Sequence, residues 1–224
     1  MRMRRMKNLD ECIDGFGEYF IKVDYGNQNS SILEEKDIRY FDFEAIFGNG
    51  NKVQIEIGCG KGTFITKLAE RTPDINYFAI EKNPSVLAMA CKKAIEKNIT
   101  NVRFLQCSAE YMERYFPANS IDRIYLNFSC PFEKHTYANR RLTHKKFLDI
   151  YKKILTPTAE IHQKTDNMHF FEFSIEQLSS NGFALKNVSL DLHNGGMEDN
   201  IVTEYEKRFS DMGMPIYHLE AYMK

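Results

Sequence analysis

One stretch limits what fold this sequence can adopt: an apolar run at 53–57 that ends in three glycines at alternate positions, Gly58, Gly60 and Gly62. The run predicts a buried first strand. The glycines predict a tight turn in which the backbone takes positive φ and a ligand can lie against the main chain. Positions 63–71 then predict a helix whose first N–H groups point at that ligand. The pattern therefore indicates a site for a nucleoside-containing cofactor.

The glycine spacing separates two kinds of cofactor. A dinucleotide fingerprint is Gly-x-Gly-x-x-Gly, whereas this chain has Gly-x-Gly-x-Gly preceded by Glu56. A second acidic residue, Glu81, closes the next apolar run at 77–80, where its carboxylate can grip a ribose diol. An ordinary βα turn is the alternative, and the two glutamates favour a cofactor site over it. Together these features resemble the S-adenosylmethionine site of class I methyltransferases, which makes an NAD-dependent oxidoreductase the least favoured interpretation.

Composition and charge exclude several classes of protein. At 224 residues, with 43% hydrophobic residues and no long uncharged apolar run, the chain predicts one large soluble α/β domain without a membrane-spanning helix. The basic N-terminus runs into acidic residues, which argues against a secretory signal and predicts a cytoplasmic protein. Five cysteines without a C-x-x-C pair predict reduced thiols and no metal site. With a net charge of −1, any RNA contact must come from local basic patches.

Alternation of apolar runs with helix-forming stretches predicts the architecture. Residues 1–50 lack a sustained period and predict an irregular N-terminal arm with one short helix. The basic cluster at 2–7 is either a solvated tail or a phosphate-contacting segment. Residues 51–224 predict a Rossmann-like α/β domain, a three-layer sandwich with a mostly parallel seven-stranded sheet. The predicted strands span 53–57, 77–80, 102–106, 123–127, 160–164, 183–190 and 216–222, the last two forming an antiparallel hairpin.

Polar residues follow several of these strands, at the edge where such sheets bind ligands. Ser108 follows the third strand, where this fold meets the adenine of its cofactor, and is either a ligand of that ring or the N-cap of the next helix. The fourth strand runs into the loop 128–137, which we expect to face the reactive end of the cofactor. Asp166 follows the fifth strand and is either a ligand or an N-cap.

Three segments in order carry a more specific resemblance. They are the glycine stretch 56–64, the loop from Leu126-Asn127-Phe128-Ser129 through Arg140-Arg141-Leu142-Thr143, and Thr203-Glu204-Tyr205-Glu206. The basic opening, Lys164-Thr165-Asp166-Asn167 and the segment 190–194 also fit in the right order. This set is similar to the bacterial tRNA (guanine-N7-)-methyltransferases over nearly the whole chain.

The resemblance implies methyl transfer from S-adenosylmethionine to N7 of the variable-loop guanosine of tRNA. The sequence leaves both a monomer and a homodimer open. It implies catalytic roles for Cys130 and Asp166. The implied cofactor-binding residues are Glu56, Gly58, Gly60, Glu81, Ser108 and Cys130. The implied substrate-binding residues are Lys134, Asp166, Thr203, Glu204, Tyr205 and Glu206.

Two positions depart from the family pattern. Cys130 stands where the family has an aspartate assigned to the active site, and Ser108 stands where an acidic residue is expected. Guanine N7 carries an in-plane lone pair and no proton, so its attack on a sulfonium methyl needs alignment and desolvation more than a general base. We therefore expect residue 130 to orient the reactants, and a covalent role for its thiol is the less favoured alternative. The two departures keep open a methyltransferase acting on another RNA base, or a cofactor-binding RNA protein without catalysis.

Selection of guanine requires a carboxylate that accepts from N1–H and the exocyclic amine. Asp166, Glu204 and Glu206 are the candidates. An aromatic side chain such as Phe132 or Tyr205 can stack on an extruded base, although core packing is the interpretation that we favour for Tyr205. Phosphate contacts and a solvated loop are the alternatives for Lys134, Arg140 and Arg141.

Overall fold

The computed structural model describes residues 6–23, 38–196 and 199–224. The chain divides into two compact units, Met1–Tyr115 and Phe116–Lys224. Within the described ranges, no helix combines the length and apolarity needed to cross a bilayer. Of the predicted basic cluster, Arg2, Arg4 and Arg5 lie outside the described residues.

The first unit is built from parallel strands alternating with helices. Its strands are β1 (Phe20–Ile21), β2 (Val53–Ile57), β3 (Asn76–Glu81) and β4 (Val102–Gln106), in the spatial order β1-β4-β3-β2. Its helices are α1 (Leu9–Asp14), α2 (Phe43–Phe47), α3 (Thr63–Arg71) and α4 (Pro84–Glu96), with 3-10 turns at Gly17–Tyr19 and Ala109–Arg114. The last of these replaces the α-helix predicted after Ser108.

Local sequence explains why the central elements form as predicted. Strands β2 and β3 are almost entirely buried, as parallel strands covered on both faces require. Helix α4 begins at Pro84, because the Asn83 side chain accepts from the Ser85 N–H at 3.1 Å and Pro84 occupies the first turn.

The arm supplies more structure than predicted. Strand β1 pairs in parallel with β4, and α1 and α2 are two short helices where one was expected. Arg103 of β4 anchors both parts of the arm: its guanidinium donates to Glu18 Oε2 at 3.2 Å and to the Ile46 carbonyl at 2.9 Å, and lies 5.0 Å from the centre of the Phe47 ring. The described residues form eight strands, one more than the seven predicted. All seven are present as β2 to β8, and the described part of the arm adds an eighth.

The second unit combines parallel and antiparallel pairing. Its strands are β5 (Ile121–Asn127), β6 (Leu155–Thr165), β7 (Phe183–Ser189) and β8 (Tyr217–Met223), in the order β5-β6-β8-β7. Its helices are α5 (Lys145–Ile154), α6 (Met168–Ser180) and α7 (Glu204–Asp211), with a 3-10 turn at His135–Arg140. Strands β5 and β6 are parallel, and β8 runs antiparallel to both of its neighbours, which confirms the predicted antiparallel pairing of the last two strands.

Candidate functional site

The glycine turn of the first unit leaves space above its backbone. Gly58 and Gly60 have φ values of 80° and 55°, and a Cβ added at either would meet nothing within 4 Å. The N–H groups of Gly58 and Cys59 both donate to the Ile80 carbonyl, at 2.7 and 3.0 Å, which ties the turn to the end of β3. Hydrogen bonds to β3 therefore fix the turn, and the space next to Gly58 and Gly60 stays open, as a ligand lying on the main chain requires.

The third glycine has a different role. A Cβ on Gly62 would lie 2.7 Å from the Cβ of Ala90 in α4, closer than two side chains can approach. Its φ of 74° also favours glycine. Gly62 therefore allows the start of α3 to pack against α4, and it is a packing residue.

The two predicted glutamates lie close to this turn. In the register of β2 with β3, Ile57 pairs with Ile80, so Gly58 and Glu81 follow at the same sheet edge. One oxygen of Glu81 accepts from the Asn83 N–H at 2.9 Å, and the other makes no hydrogen bond among the described residues. Glu56 is 2% exposed.

The thiol between these carboxylates is held neutral. Burial raises the pKa of Cys59 well above its usual value, and the charges of Glu56 and Glu81 raise it further. A neutral, buried thiol is not a nucleophile, so Cys59 contributes shape and not chemistry.

Ser108 caps the 3-10 turn that follows β4. Its hydroxyl accepts from the Glu110 N–H at 3.5 Å, which confirms the N-cap interpretation. The side chain is buried, and a contact with an adenine ring stays a prediction.

The loop after β5 carries backbone strain on both sides of Cys130. Phe128 and Phe132 have φ values of 51° and 43°, a region that bulky side chains rarely occupy. Arg141 holds the loop by donating to the carbonyls of Pro131 at 2.8 Å and Phe132 at 3.2 Å. Cys130 itself is exposed, so the structure keeps its side chain accessible.

Other side chains of this loop differ in their surroundings. The Ser129 hydroxyl is buried and has no hydrogen-bond partner in the described part of the chain. Lys134 is exposed, and Arg140 is an exposed cation stacked 4.6 Å from the centre of the Tyr137 ring. Arg141 is committed to the loop backbone, so of the three predicted phosphate contacts only Lys134 and Arg140 stay available.

Asp166 is not a helix cap. Asn167 caps α6 instead, because its side chain accepts from the Phe170 N–H at 2.8 Å, and the N-cap interpretation of Asp166 is wrong. Burial raises the pKa of the half-buried Asp166 carboxyl above its usual value. Of the two interpretations of Asp166, contact with a ligand stays a prediction.

The segment 203–206 separates into buried and exposed residues. Thr203 and Glu206 form a capping box at the start of α7, with the Thr203 hydroxyl accepting from the Glu206 N–H at 2.9 Å. Glu206 is fully buried, and Lys164 Nζ donates to it at 2.6 Å. Glu206 is thus placed inside a polar network and not at a surface that a base can reach, which argues against direct guanine recognition by this carboxylate.

Asn200 and His193 complete this network, although neither is among the predicted site residues. Asn200 donates to Glu206 Oε1, and His193 Nε2 lies 3.3 Å from the same oxygen. Lys164 also donates to Asn200 Oδ1 at 3.0 Å and to the Ile201 carbonyl at 2.9 Å. The sequence signal that could have found the network is a lysine at the end of a buried strand, because such a lysine requires partners.

Tyr205 lies at the surface. It is 59% exposed, so the favoured interpretation of Tyr205 as a core residue is wrong. Its ring stacks with those of Phe128 and Phe209 at centroid distances of 6.4 and 6.5 Å. The Phe128 N–H also donates to the Lys164 carbonyl at 2.8 Å, so the β5 loop, the end of β6 and the start of α7 meet within this unit.

The residues of the first unit fit a nucleoside cofactor. The open main chain over Gly58 and Gly60 can accept a flat or extended group, and the unbonded Glu81 oxygen is an acceptor for a hydroxyl.

Comparisons with known proteins agree with this geometry. A family model described as putative methyltransferase matches residues 50–219. The chain is 41% identical to a tRNA (guanine-N(7)-)-methyltransferase of Streptococcus thermophilus (strain CNRZ 1066), over 100% of both chains. It is 47% identical, over 99% of each, to one of Streptococcus suis (strain 05ZYH33).

Solved structures show the fold alone. A 16S rRNA methyltransferase, KamB, matches with a TM-score of 0.61 at 15% identity, covering 83% of this chain and 95% of that one. The [4+2]-cyclase SpnF also matches, with a TM-score of 0.55 at 17% identity over 78% of this chain and 76% of that one. The class I methyltransferase fold predicted from the sequence is thus confirmed, and since one fold hosts different chemistries, function must come from the site and the close relatives.

Proposed function

Because this chain belongs to the tRNA (guanine-N(7)-)-methyltransferase family, we propose that it transfers the methyl group of S-adenosylmethionine to N7 of the variable-loop guanosine of tRNA. The observation that carries this proposal is identity of 41% over the full length of a curated relative, without gaps in coverage at either end. Local geometry in both units supports it.

Residues of the first unit are proposed to bind the methyl donor. Gly58 and Gly60 leave the backbone uncovered, and Glu81 offers one oxygen to a ribose diol while Asn83 fixes the other. Glu56 adds negative charge, which favours a cationic donor. Ser108 is proposed to lie at the adenine. S-adenosylmethionine supplies a methyl group on a positively charged sulfur.

Residue 130 is proposed to orient the reactants. The guanine nitrogen already carries its lone pair, so the reaction requires no residue that removes a proton from it. Cys130 is exposed in a loop whose conformation Arg141 fixes. A thiol at this position is compatible with the chemistry, although it lacks the charge of the family's aspartate.

Residues of the second unit are proposed to bind the tRNA. The Asp166 carboxylate is the acceptor for N1–H and the exocyclic amine of guanine, since it is neither a cap nor part of an ion pair in the described chain. Tyr205 offers an exposed ring for stacking on a base, a contact worth about 1–3 kcal/mol. Lys134 and Arg140 are proposed phosphate contacts, and Glu204 is an exposed polar neighbour.

Thr203 and Glu206 are proposed to position other residues that contact the substrate. Their capping box fixes the first turn of α7, and that turn presents Tyr205 and Glu204 at the surface. Their effect on the substrate is therefore indirect.

The proposal is tested by transfer of labelled methyl groups to an unmodified tRNA transcript, with a matched transcript in which the variable-loop guanosine is replaced by adenosine. We expect label in the first transcript alone, and 7-methylguanosine on mass spectrometry of its nucleosides. Methylation of a different base would favour the alternative substrate. Donor binding without transfer to a transcript that a curated relative methylates would favour the impaired RNA-binding homologue.

Other predictions accompany this function. All five cysteines are free thiols, in keeping with a reducing cytoplasm. A monomer or a homodimer, and an arm at 1–50 preceding a catalytic domain at 51–224, stay predictions.

A further inference from the structure

A cluster of potential metal ligands lies on the sheet of the second unit, formed by residues that the methyl-transfer proposal does not use. Glu160 and His162 of β6 and Glu220 of β8 each offer one ligand atom, and these atoms lie within 4.8 Å of one another. The antiparallel register explains the cluster: His162 is directly opposite Glu220, and Lys164 is opposite His218. Side chains two residues apart on a strand share a face, so His218 lies on the same face of the sheet, next to this group.

One carboxylate oxygen faces both imidazoles. Glu220 Oε1 lies 3.5 Å from His218 Nε2 and 3.9 Å from His162 Nδ1. Ligand atoms around a tetrahedral zinc ion are about 3.4 Å apart, which follows from zinc–nitrogen bonds of about 2.0–2.1 Å. The Glu220 carboxylate is therefore close to ligand separation from each of the two imidazoles.

A buried histidine whose ring nitrogens lack hydrogen bonds provides the second, independent observation. The His218 side chain is 5% exposed, and neither of its ring nitrogens makes a hydrogen bond in the described part of the chain. Leaving a buried polar group unsatisfied is costly, so such groups in native proteins require an explanation. A cation bound at Nε2 would satisfy this ring.

The surrounding residues form the outer layer that metal sites use. Glu160 Oε2 lies 2.8 Å from His162 Nε2, which leaves Nδ1 facing Glu220. Arg123 donates to the same Glu160 oxygen at 2.8 Å, and Asn187 donates to Glu220 Oε2 at 2.8 Å. A carboxylate that holds the far nitrogen of a ligating histidine orients the ring and raises its basicity.

The ammonium group of Lys186 competes for this site. Lys186 donates to Glu160 and lies 3.6 Å from Glu220 Oε2, and its side chain is 41% exposed. The ammonium offsets carboxylate charge when no metal is bound, and a long exposed side chain can move to solvent.

We propose that His162, His218 and Glu220, supported by Glu160, bind one divalent transition-metal ion, with Zn²⁺ as the best match. Two imidazoles and a carboxylate are zinc ligands, whereas Mg²⁺ and Ca²⁺ prefer oxygen ligands throughout. The ion would cross-link β6 to β8. This proposal does not depend on the methyl-transfer reaction.

The test uses the untagged, full-length, metal-free protein in a Cys130→Ala background, so that the exposed thiol cannot bind metal. Titration with ZnCl₂ in a calorimeter is expected to give one site per chain, and Co²⁺ is expected to give visible absorption bands without a thiolate charge-transfer band. His218→Gln and Glu220→Gln are expected to weaken zinc affinity by at least about tenfold. Lys186→Met is expected to tighten it.

The matched control is His169→Gln, because His169 forms an exposed pair with Glu172 at 3.1 Å and is expected to have no effect. Absence of a stoichiometric site, or unchanged affinity in the folded His218 and Glu220 variants, would overturn the proposal. Should those variants not fold, the exposed Lys186→Met substitution decides: unchanged or weaker zinc binding contradicts the assignment. Saturation by Mg²⁺ in preference to Zn²⁺ does so as well.

Discussion

Lys164 donates to Glu206 at 2.6 Å, and the two side chains are 6% and 0% exposed. The sequence separates these residues by 42 positions, and the pair links the end of β6 to the first turn of α7. The start of α7 carries Tyr205, so this buried ion pair sets where an exposed aromatic ring is presented.

We expect Glu206→Gln to destabilise the protein by about 3–5 kcal/mol, because it leaves the Lys164 ammonium buried without its charged partner. Urea unfolding measures this loss. Glu204→Gln is the control, since Glu204 is exposed in the same helical turn and its charge is worth about 0.3–1 kcal/mol there. Equal losses of stability in Glu206→Gln and Glu204→Gln would show that the Lys164–Glu206 ion pair does not stabilise the start of α7. The double variant Lys164→Met, Glu206→Leu should recover part of the loss.

Alanine substitutions at Gly58 and Gly62 should have different effects. Gly62→Ala combines a positive φ with a Cβ 2.7 Å from Ala90, and we expect it to lose more stability than Gly58→Ala, whose strain alone costs about 1–2 kcal/mol. Gly58→Ala should instead weaken binding of S-adenosylmethionine, because the new methyl enters the open space above the turn. Calorimetric titration of the donor measures this.

Gly213→Ala is the control for Gly58→Ala. It has a φ of 74° and nothing within 4 Å of an added Cβ, so it carries similar strain away from the glycine turn. Donor binding that falls equally in both variants would contradict a specific role for Gly58.

Asp166 and Asn167 are adjacent, and we expect their substitutions to separate catalysis from stability. Asn167→Ala should cost about 1 kcal/mol of stability through the lost cap and leave methylation intact. Asp166→Asn should leave stability unchanged and lower kcat/KM about 10- to 100-fold, the loss of a charged hydrogen-bonding pair worth about 1.5–3 kcal/mol. A fully active Asp166→Asn enzyme would remove this residue from guanine recognition.

The pH profile gives a further test of Asp166. The carboxylate form is the one proposed to accept from guanine, and burial raises the pKa of Asp166 above 3.8. The acid limb of kcat/KM should therefore lie at higher pH than for an ordinary aspartate and be absent from the Asp166→Asn profile.

Cys130 variants distinguish orientation from covalent catalysis. We expect Cys130→Ala to keep kcat within about tenfold of the parent, less than about 1.4 kcal/mol in the barrier, and Cys130→Asp to preserve or raise it. Single-turnover methyl transfer measures the step. A folded Cys130→Ala protein that binds donor and tRNA without transferring the methyl group would establish an essential thiol.

The charged cluster on β6 predicts a stability loss in acid. Burial alone would raise the pKa of Glu160, but hydrogen bonds from Lys186 and His162 and the charge of Arg123 outweigh it and lower the pKa to about 2. Its stabilisation is therefore complete above pH 4.5, its ordinary value, and is lost as the pH falls towards 2. His162, with its pKa lowered to about 4 mainly by burial, acts in the same direction below pH 6.5, since the unfolded chain binds its proton first.

We expect Glu160→Gln to cost about 1–3 kcal/mol near pH 6, and less at pH 3, where the parent has lost part of the same stabilisation. Urea unfolding of metal-free protein at the two pH values measures this difference. Glu172→Gln, at an exposed pair, should change little at either pH. A Glu160→Gln loss that does not depend on pH would contradict the lowered pKa.

Local pattern predicted much of this protein correctly. The strand at 53–57, the glycine turn and the helix at 63–71 depend on neighbours in sequence, and the structure confirms each. Two interpretations that depended on distant contacts were wrong. Asp166 and Asn167 are both good caps by residue type, and only the path of the chain after β6 made Asn167 the cap. Tyr205 is aromatic, a residue type that often packs in the core. Helix α7, however, packs through the buried Glu206 and leaves the Tyr205 ring exposed to solvent.

The sequence by itself determined the strands and turns around the glycines at 58–62, because backbone conformation there follows from glycine, proline and short-range hydrophobic periodicity. Tertiary structure alone decided the rest. The buried Lys164–Glu206 pair, the arm strand beside β4 and the proximity of His162 to Glu220 depend on which strands become neighbours and in what register. Those choices come from burial summed over the whole chain, which no short segment encodes.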